Sequence, residues 1–471
     1  MLKSVPAGVA LMLATLIIGA PACGSCPASS APLAPLPAAR FDDGPMISEL
    51  DLTRDFDGWL RQLRTQNPDL SIRSDLKALD REAARIRRAL TVPMSSRQAW
   101  VQFALLNPRL GDGHSGIGMP DYREALAAYV SGGGSIVPIE VRFAKDGALR
   151  VFAVSPGTDG IERGDRLDAI NGHSAPYIVQ EMLRRAQGDS IVSRQAWVSR
   201  RFAALYRLLF GDSGSYDVEV THPESGCVQR VRSPGAKTLP ASLLPQPALE
   251  SLFSWRIFDT GVGYFRVDGF DPDARKALAA SAHAAFKAFA DGHIRALIID
   301  VRENGGGDDP LWQESLMEYL TDKPYSELSS YIQRVTVQHA DPGDVVGSIR
   351  RAKYEERITP TPDNPLRFSG PTYILIGPYS YSATIQFVVA AQDFGVAKIA
   401  GAPNGALSCQ TGQVQRLAMP NTGLNAFTPA IAYTRPSGVG CRRPVIPDVR
   451  LDVDEVNPDA TLMALVARAA R

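Results

Sequence analysis

From Ile47 to Leu110 the apolar residues recur every three or four positions. Leu52, Phe56, Leu60 and Leu63 are followed by Leu76, Leu79, Ala83, Ile86 and Leu90, the spacing of helices that each bury one face. The period then changes. Ile136–Val141 and Leu149–Val154 alternate or run apolar like strands, and a helical stretch follows near 177–185. Beyond Leu249 strands and helices take turns: a strand over 263–267, an Ala-rich helix over 274–290 and a buried strand over 296–301. Strand, helix, strand predicts a right-handed crossover and an α/β core. A further strand, Tyr373–Gly377, passes through Pro378-Tyr379-Ser380-Tyr381 into a segment from Ser382 to Phe394 with the period and length of a helix.

The first residues stand apart from this pattern. Lys3 is followed by a charge-free run, Val9–Ile18, too short to span a bilayer, and then by Ala20-Pro21-Ala22-Cys23, the layout of a secretory signal with an A-x-A cleavage site. Residues 1–22 are therefore set aside, and the Pro/Ala-rich stretch 23–42 is read as a tether. Cys23 leaves two routes open, soluble export or a lipid anchor, so the expected location is the periplasm or the outer membrane of a Gram-negative-type cell.

Composition narrows the function classes. In 471 residues, 45% are hydrophobic and 21% charged, as in ordinary globular proteins, and 50 basic residues balance 50 acidic ones. A zero formal charge is no footprint for nucleic acid. The five cysteines, Cys23, Cys26, Cys227, Cys409 and Cys441, show no zinc-site spacing, and neither a metal nor a cofactor is implied.

Two turns carry candidate chemistry. Ser382 sits where a strand meets a helix, so the free N–H groups of the first helical turn lie beside its hydroxyl. Most serines so placed only cap the helix. Asn304-Gly305-Gly306-Gly307 follows the 296–301 strand and lets backbone approach a ligand, yet no Gly-Lys-Ser/Thr follows, so it is not a phosphate loop. Gly-x-Ser-x-Gly is absent around Ser382 and Ser380. His114, in Gly111-Asp112-Gly113-His114, lies in a Gly-flanked turn.

Gly160-Ile161-Glu162-Arg163-Gly164-Asp165-Arg166-Leu167, with Ile170-Asn171-Gly172 after it, resembles a PDZ domain, which implies capture of an extended peptide by strand addition. The alternative is a β-rich spacer. Taken in order, Asp-Gly-His, this insert, Asp300-Val301-Arg302-Glu303-Asn304-Gly305-Gly306-Gly307, Ser382-Ala383 and Pro447-Asp448-Val449 resemble the tail-specific (C-terminal processing) serine peptidase family, including its tricorn-like branch. The resemblance implies a crotonase-like α/β catalytic core with a PDZ-like β-rich insert and an N-terminal helical subdomain. It divides the chain into a signal peptide (1–22), a linker (23–42), a helical subdomain (43–130), a PDZ-like domain (131–235) and a peptidase domain (245–471).

Carried over by position, the resemblance makes Ser382 the nucleophile, His114 the general base, and the Gly306 and Ala383 N–H groups the oxyanion donors. The lysine of a Ser/Lys dyad is absent, since 382 + 25 falls on Leu407. The acidic residue that orients histidine in tricorn-like members is also missing, with Cys441 near its place; Asp112, Asp308 and Asp309 are candidates by sequence proximity alone. Cys409 and Cys441 are expected to pair as a disulfide. The expectation is an exported serine endopeptidase acting on extended or unfolded polypeptides through a Ser382 acyl-enzyme. The other reading is an inactive homologue that binds peptides or apolar ligands. Oligomeric state is not legible.

Overall fold

The computed structural model describes residues 36–41, 44–119, 122–244 and 248–471. The signal, most of the tether, Cys23 and Cys26 lie outside the described residues. Among the described residues no helix is long and apolar enough to cross a membrane.

The periodic apolar positions of the N-terminal part fold as the helices Glu49–Gln66, Leu76–Ala89 and Ser96–Phe103. Each begins on a polar cap: Ser48, Asp75 and Ser95 accept a backbone N–H of the first turn. Leu52, Phe56, Trp59 and Leu63 of the first helix are buried, as the three–four spacing requires. The middle part forms an antiparallel sheet in chain order: Ile139–Phe143, Leu149–Val154, Arg166–Ile170, Ser215–Thr221 and Val228–Pro234, with His173–Ser174 on its side. Two helices, Ala175–Leu183 and Ile191–Phe210, accompany it. The helical and middle parts share one hydrophobic core, running from Leu52 through Trp100 and Phe202 to Tyr216.

The C-terminal part is mixed α/β. Its main sheet has the order Val449–Arg450, Lys398–Gly401, Thr372–Ile376, Ala296–Asp300, Val262–Val267, Phe253–Ile257. All neighbours are parallel except the last pair. Every residue of Ala296–Asp300 is buried: positions 296–299 are apolar, and Asp300 closes the strand with its carboxylate accepting from the Tyr264 hydroxyl (2.9 Å) and Arg302. A second, antiparallel sheet pairs Thr411–Ala418 with Asn425–Thr434, and on it lies Gly116–Ile117 from the N-terminal part, with Gly116 opposite Phe427. That short pairing carries the histidine turn onto the C-terminal part. The buried Asp55 carboxylate of the first helix reinforces it by accepting N–H groups of Asn421 (3.1 Å) and Thr422 (2.7 Å) at the tip of the 411–434 hairpin.

Candidate active site

The strand Thr372–Ile376 ends in a tight turn and the helix Ala383–Asp393 begins directly after Ser382. Ser382 has φ 57° and ψ −128°, in the positive-φ region that side chains rarely adopt, and its hydroxyl makes no capping bond to the helix. Plain N-capping is thereby excluded. The hydroxyl instead meets His114: Nε2 and Ser382 Oγ are 3.0 Å apart across 268 residues of chain.

The other ring nitrogen, His114 Nδ1, is 3.0 Å from Thr411 Oγ1. Thr411 Oγ1 in turn donates to the buried Asp112 carboxylate, 3.0 Å to Oδ1 and 3.2 Å to Oδ2, while Asp112 Oδ1 itself stands 3.9 Å from Nδ1. With Asp112 acceptor-only, the threonine hydrogen points to it and its lone pair faces the imidazole. That arrangement selects the tautomer with hydrogen on Nδ1 and leaves Nε2 free to accept from Ser382. Asp112 also accepts the His114 N–H at 2.8 Å, fixing the turn. Of the three carboxylates near in sequence, Asp112 is the one that reaches the histidine, and it does so through Thr411.

The carboxylate of Asp189, in the loop between the two helices of the middle part, gathers three donors. They are the Gly113 N–H (3.0 Å), the Tyr381 hydroxyl (2.6 Å) and the Leu407 N–H (2.9 Å). It thus ties the histidine turn, the serine turn and the segment before Thr411 together. The Tyr381 ring lies over His114, centroids 5.0 Å apart. Burial is the main influence on His114 and holds its pKa below the ordinary 6.5; the Asp112 and Asp189 charges oppose this and Arg73 adds to it.

Gly306 packs where expected. At φ 104°, a Cβ there would come 2.6 Å from Ser382 Cβ and 2.8 Å from the Tyr381 carbonyl oxygen, so only glycine fits. The Gly306 N–H, expected as an oxyanion donor, donates instead to Asn304 Oδ1 at 2.9 Å. This is the local side-chain turn that asparagine readily makes two residues ahead of itself. Ala383 N–H opens the helix and finds no backbone acceptor among the described residues, whereas Ser382 N–H donates to Gln410 Oε1 at 3.2 Å. Glu303, next to this loop, accepts from Arg200 at 2.9 Å, and the guanidinium groups of Arg142 and Arg200 stand over the Tyr379 ring at 4.2 and 4.4 Å. The middle part thus grips both loops.

Cys409 and Cys441 are joined in a disulfide, Cα atoms 4.6 Å apart. It pins the chain two residues before Thr411. Thr411, Asp189, Tyr381 and Gln410 are the site residues that local sequence pattern does not single out. Replacing Thr411 by valine keeps the shape and removes the hydroxyl. A hydrogen bond to a charged partner contributes about 1.5–3 kcal/mol, so kcat/KM should fall about 10- to 100-fold, while Thr411→Ser keeps most of it; steady-state kinetics on the three forms decide.

Three comparisons bear on this arrangement. Residues 261–451 match the family model described as Peptidase family S41. No curated protein matches the sequence significantly. The solved structure of mature CPAF complexed with lactacystin is similar with a TM-score of 0.64 at 17% identity, covering 90% of this chain and 99% of that one. Mature CPAF alone gives 0.61 at 17% identity, with 90% and 98% covered. The photosystem II D1 C-terminal processing protease gives 0.46 at 17% identity, with 87% and 93% covered. At such identity the likeness to CPAF shows a shared fold.

Proposed function

From the match of residues 261–451 to the model of peptidase family S41 we propose that the chain is a serine endopeptidase acting through a Ser382 acyl-enzyme with His114 as general base. The observation that carries this reading is the 3.0 Å contact between Ser382 Oγ and His114 Nε2, with Nδ1 held by Thr411 and Asp112.

In the first step Ser382 Oγ adds to the scissile carbonyl carbon while its proton passes to His114 Nε2. The positive ring that forms keeps its Nδ1 hydrogen on Thr411 Oγ1, and the Asp112 charge behind the threonine stabilises it. Negative charge on the carbonyl oxygen falls near the Ala383 N–H, at the positive end of the helix dipole. When the tetrahedral adduct collapses, His114 Nε2 returns its proton to the departing amine and the acyl group stays on Ser382. Water then adds to the acyl carbon as its proton passes to His114 Nε2, and collapse of this second adduct returns that proton to Ser382 Oγ, releasing the acid and the free serine.

Binding of extended polypeptide is supported by the middle part. Ile139–Phe143 is an edge strand of its sheet, and its end opens on a cavity of about 1110 Å³ lined by Phe143, Val192 and Ser199 on one side and Tyr379 and Glu455 on the other. A peptide added to that edge would be held by main-chain bonds. Export, with Cys23 as an anchor or without it, remains part of the proposal on the sequence layout alone.

A fluorophosphonate probe tests the reading. The wild-type chain should be labelled at Ser382, and labelling should vanish in Ser382→Ala. An unlabelled wild type, or equal labelling of both, sinks the mechanism and leaves peptide binding without cleavage as the function.

A further inference from the structure

The formal charge of the whole chain is zero, yet one groove gathers arginine. Arg81, Arg85 and Arg88 project from the helix Leu76–Ala89 at three- and four-residue spacing, hence on one face. Together with Arg109 they line a cavity of about 400 Å³. A cavity of about 640 Å³ shares Arg85 and Arg109 and adds Arg184 and Arg194 from the middle part. The shared residues make the two cavities one groove between the helical and middle parts.

Its charge is poorly compensated. Glu82 is the sole acidic residue lining either cavity, and it pairs with Arg85 at 2.5 Å. Arg184 pairs with Glu181 at 2.8 Å, a carboxylate already shared with Arg185. Arg81, Arg88, Arg109 and Arg194 form no ion pair among the described residues. Arg194 Nε is buried without a hydrogen-bond partner. Burial and the nearby Arg109 charge both press on the Arg194 guanidinium, lowering its pKa. Donors held this way in a concave, same-sign environment present an anion site whose anion must come from outside.

We propose that this groove is an exosite for an acidic, extended segment of the polypeptide being cut; it rests on the peptidase reading only for the word cut. Three features favour a polypeptide. Leu105, Leu183 and the exposed Ile191 lie among the arginines, offering apolar contacts that a sugar-phosphate chain would not use. No aromatic side chain lines the groove, so bases would have nothing to stack on. The site is also close in sequence to the catalytic machinery: Arg109 lies in the short helix Asn107–Leu110 that leads into the His114 turn, and Arg194 lies in the first turns of the helix that follows Asp189.

The test uses the full chain as Ser382→Ala, so that binding is read without cleavage. A fluorescent Glu/Leu peptide should bind, with affinity falling as salt rises. Its Gln/Leu counterpart, and the acidic peptide on Arg81→Glu/Arg88→Glu/Arg109→Glu, should each bind about tenfold or more weakly. Arg471→Glu at the exposed C-terminus serves as the charge control and should bind normally. If the triple variant does not fold, Arg88→Glu alone, on an exposed helix face, should still weaken binding about threefold or more. Equal affinity for the acidic and neutral peptides, or binding untouched by the groove variants, overturns the proposal. So does preferential binding of an oligodeoxynucleotide or of phosphatidylglycerol vesicles over the acidic peptide. In the active chain the triple variant should raise KM for an acidic substrate and leave kcat unchanged. Failure of fluorophosphonate labelling would remove the peptidase reading while leaving the binding result standing, so the two failures are distinct.

Discussion

Ser382→Ala is expected to lower kcat by about 10⁵- to 10⁶-fold, the loss that follows removal of the nucleophile from a unit whose members act together. The fold should survive. The substitution deletes one oxygen, whose contact is to His114, and Ala383–Val389 behind it remain packed in the core of the helix. Alanine is no better suited than serine to φ 57°, so no strain is relieved. The thermal midpoint should therefore move by only about 3 °C or less. A calorimetric scan beside a peptide-cleavage assay separates the two effects: a large fall in both would mean that Ser382 holds the turn together rather than attacking substrate.

His114→Gln is expected to cost about 10⁴-fold in kcat. Added to Ser382→Ala it should cost almost nothing more, because a base without a nucleophile has no proton to take. The pH profile gives a second, independent readout. The base must be neutral to act, and burial favours the neutral ring, so the acid limb of kcat/KM should lie below His114's ordinary 6.5. Activity at pH 6.5 should therefore exceed half its plateau, with the half-point reached only in more acidic solution. Removing the Asp112 charge, as Asp112→Asn, takes away a favourable partner of the imidazolium and should move that limb to still lower pH. A limb that moves upward instead would contradict the assigned geometry.

Much of the architecture was legible because it is written in local periodicity. The strand expected over 296–301, the helix after Ser382 and the three–four pattern of 52–63 correspond to elements within a residue or two. His114 and Ser382 stood out for their turns, and the Cys409–Cys441 pairing is present. What was not legible depends on tertiary approach. Thr411 is an ordinary β-branched residue opening a strand, and only the fold brings it to a histidine 297 positions away. Asp189 lies in a helix–helix loop with no motif around it. The bond that the Gly306 amide makes to the Asn304 side chain two residues earlier depends on the shape of the turn, which a glycine-rich string leaves open.

The reacting groups come from every part of the chain: His114 from the helical part, Asp189 from the middle, and Ser382 and Thr411 from the end. The nucleophile and its base are 268 residues apart along the backbone. On the proposed mechanism an unfolded chain therefore holds no assembled hydrolytic centre. On that mechanism cleavage requires the last strand of the second sheet to pair with the strand after the histidine turn, so turnover would count completed molecules.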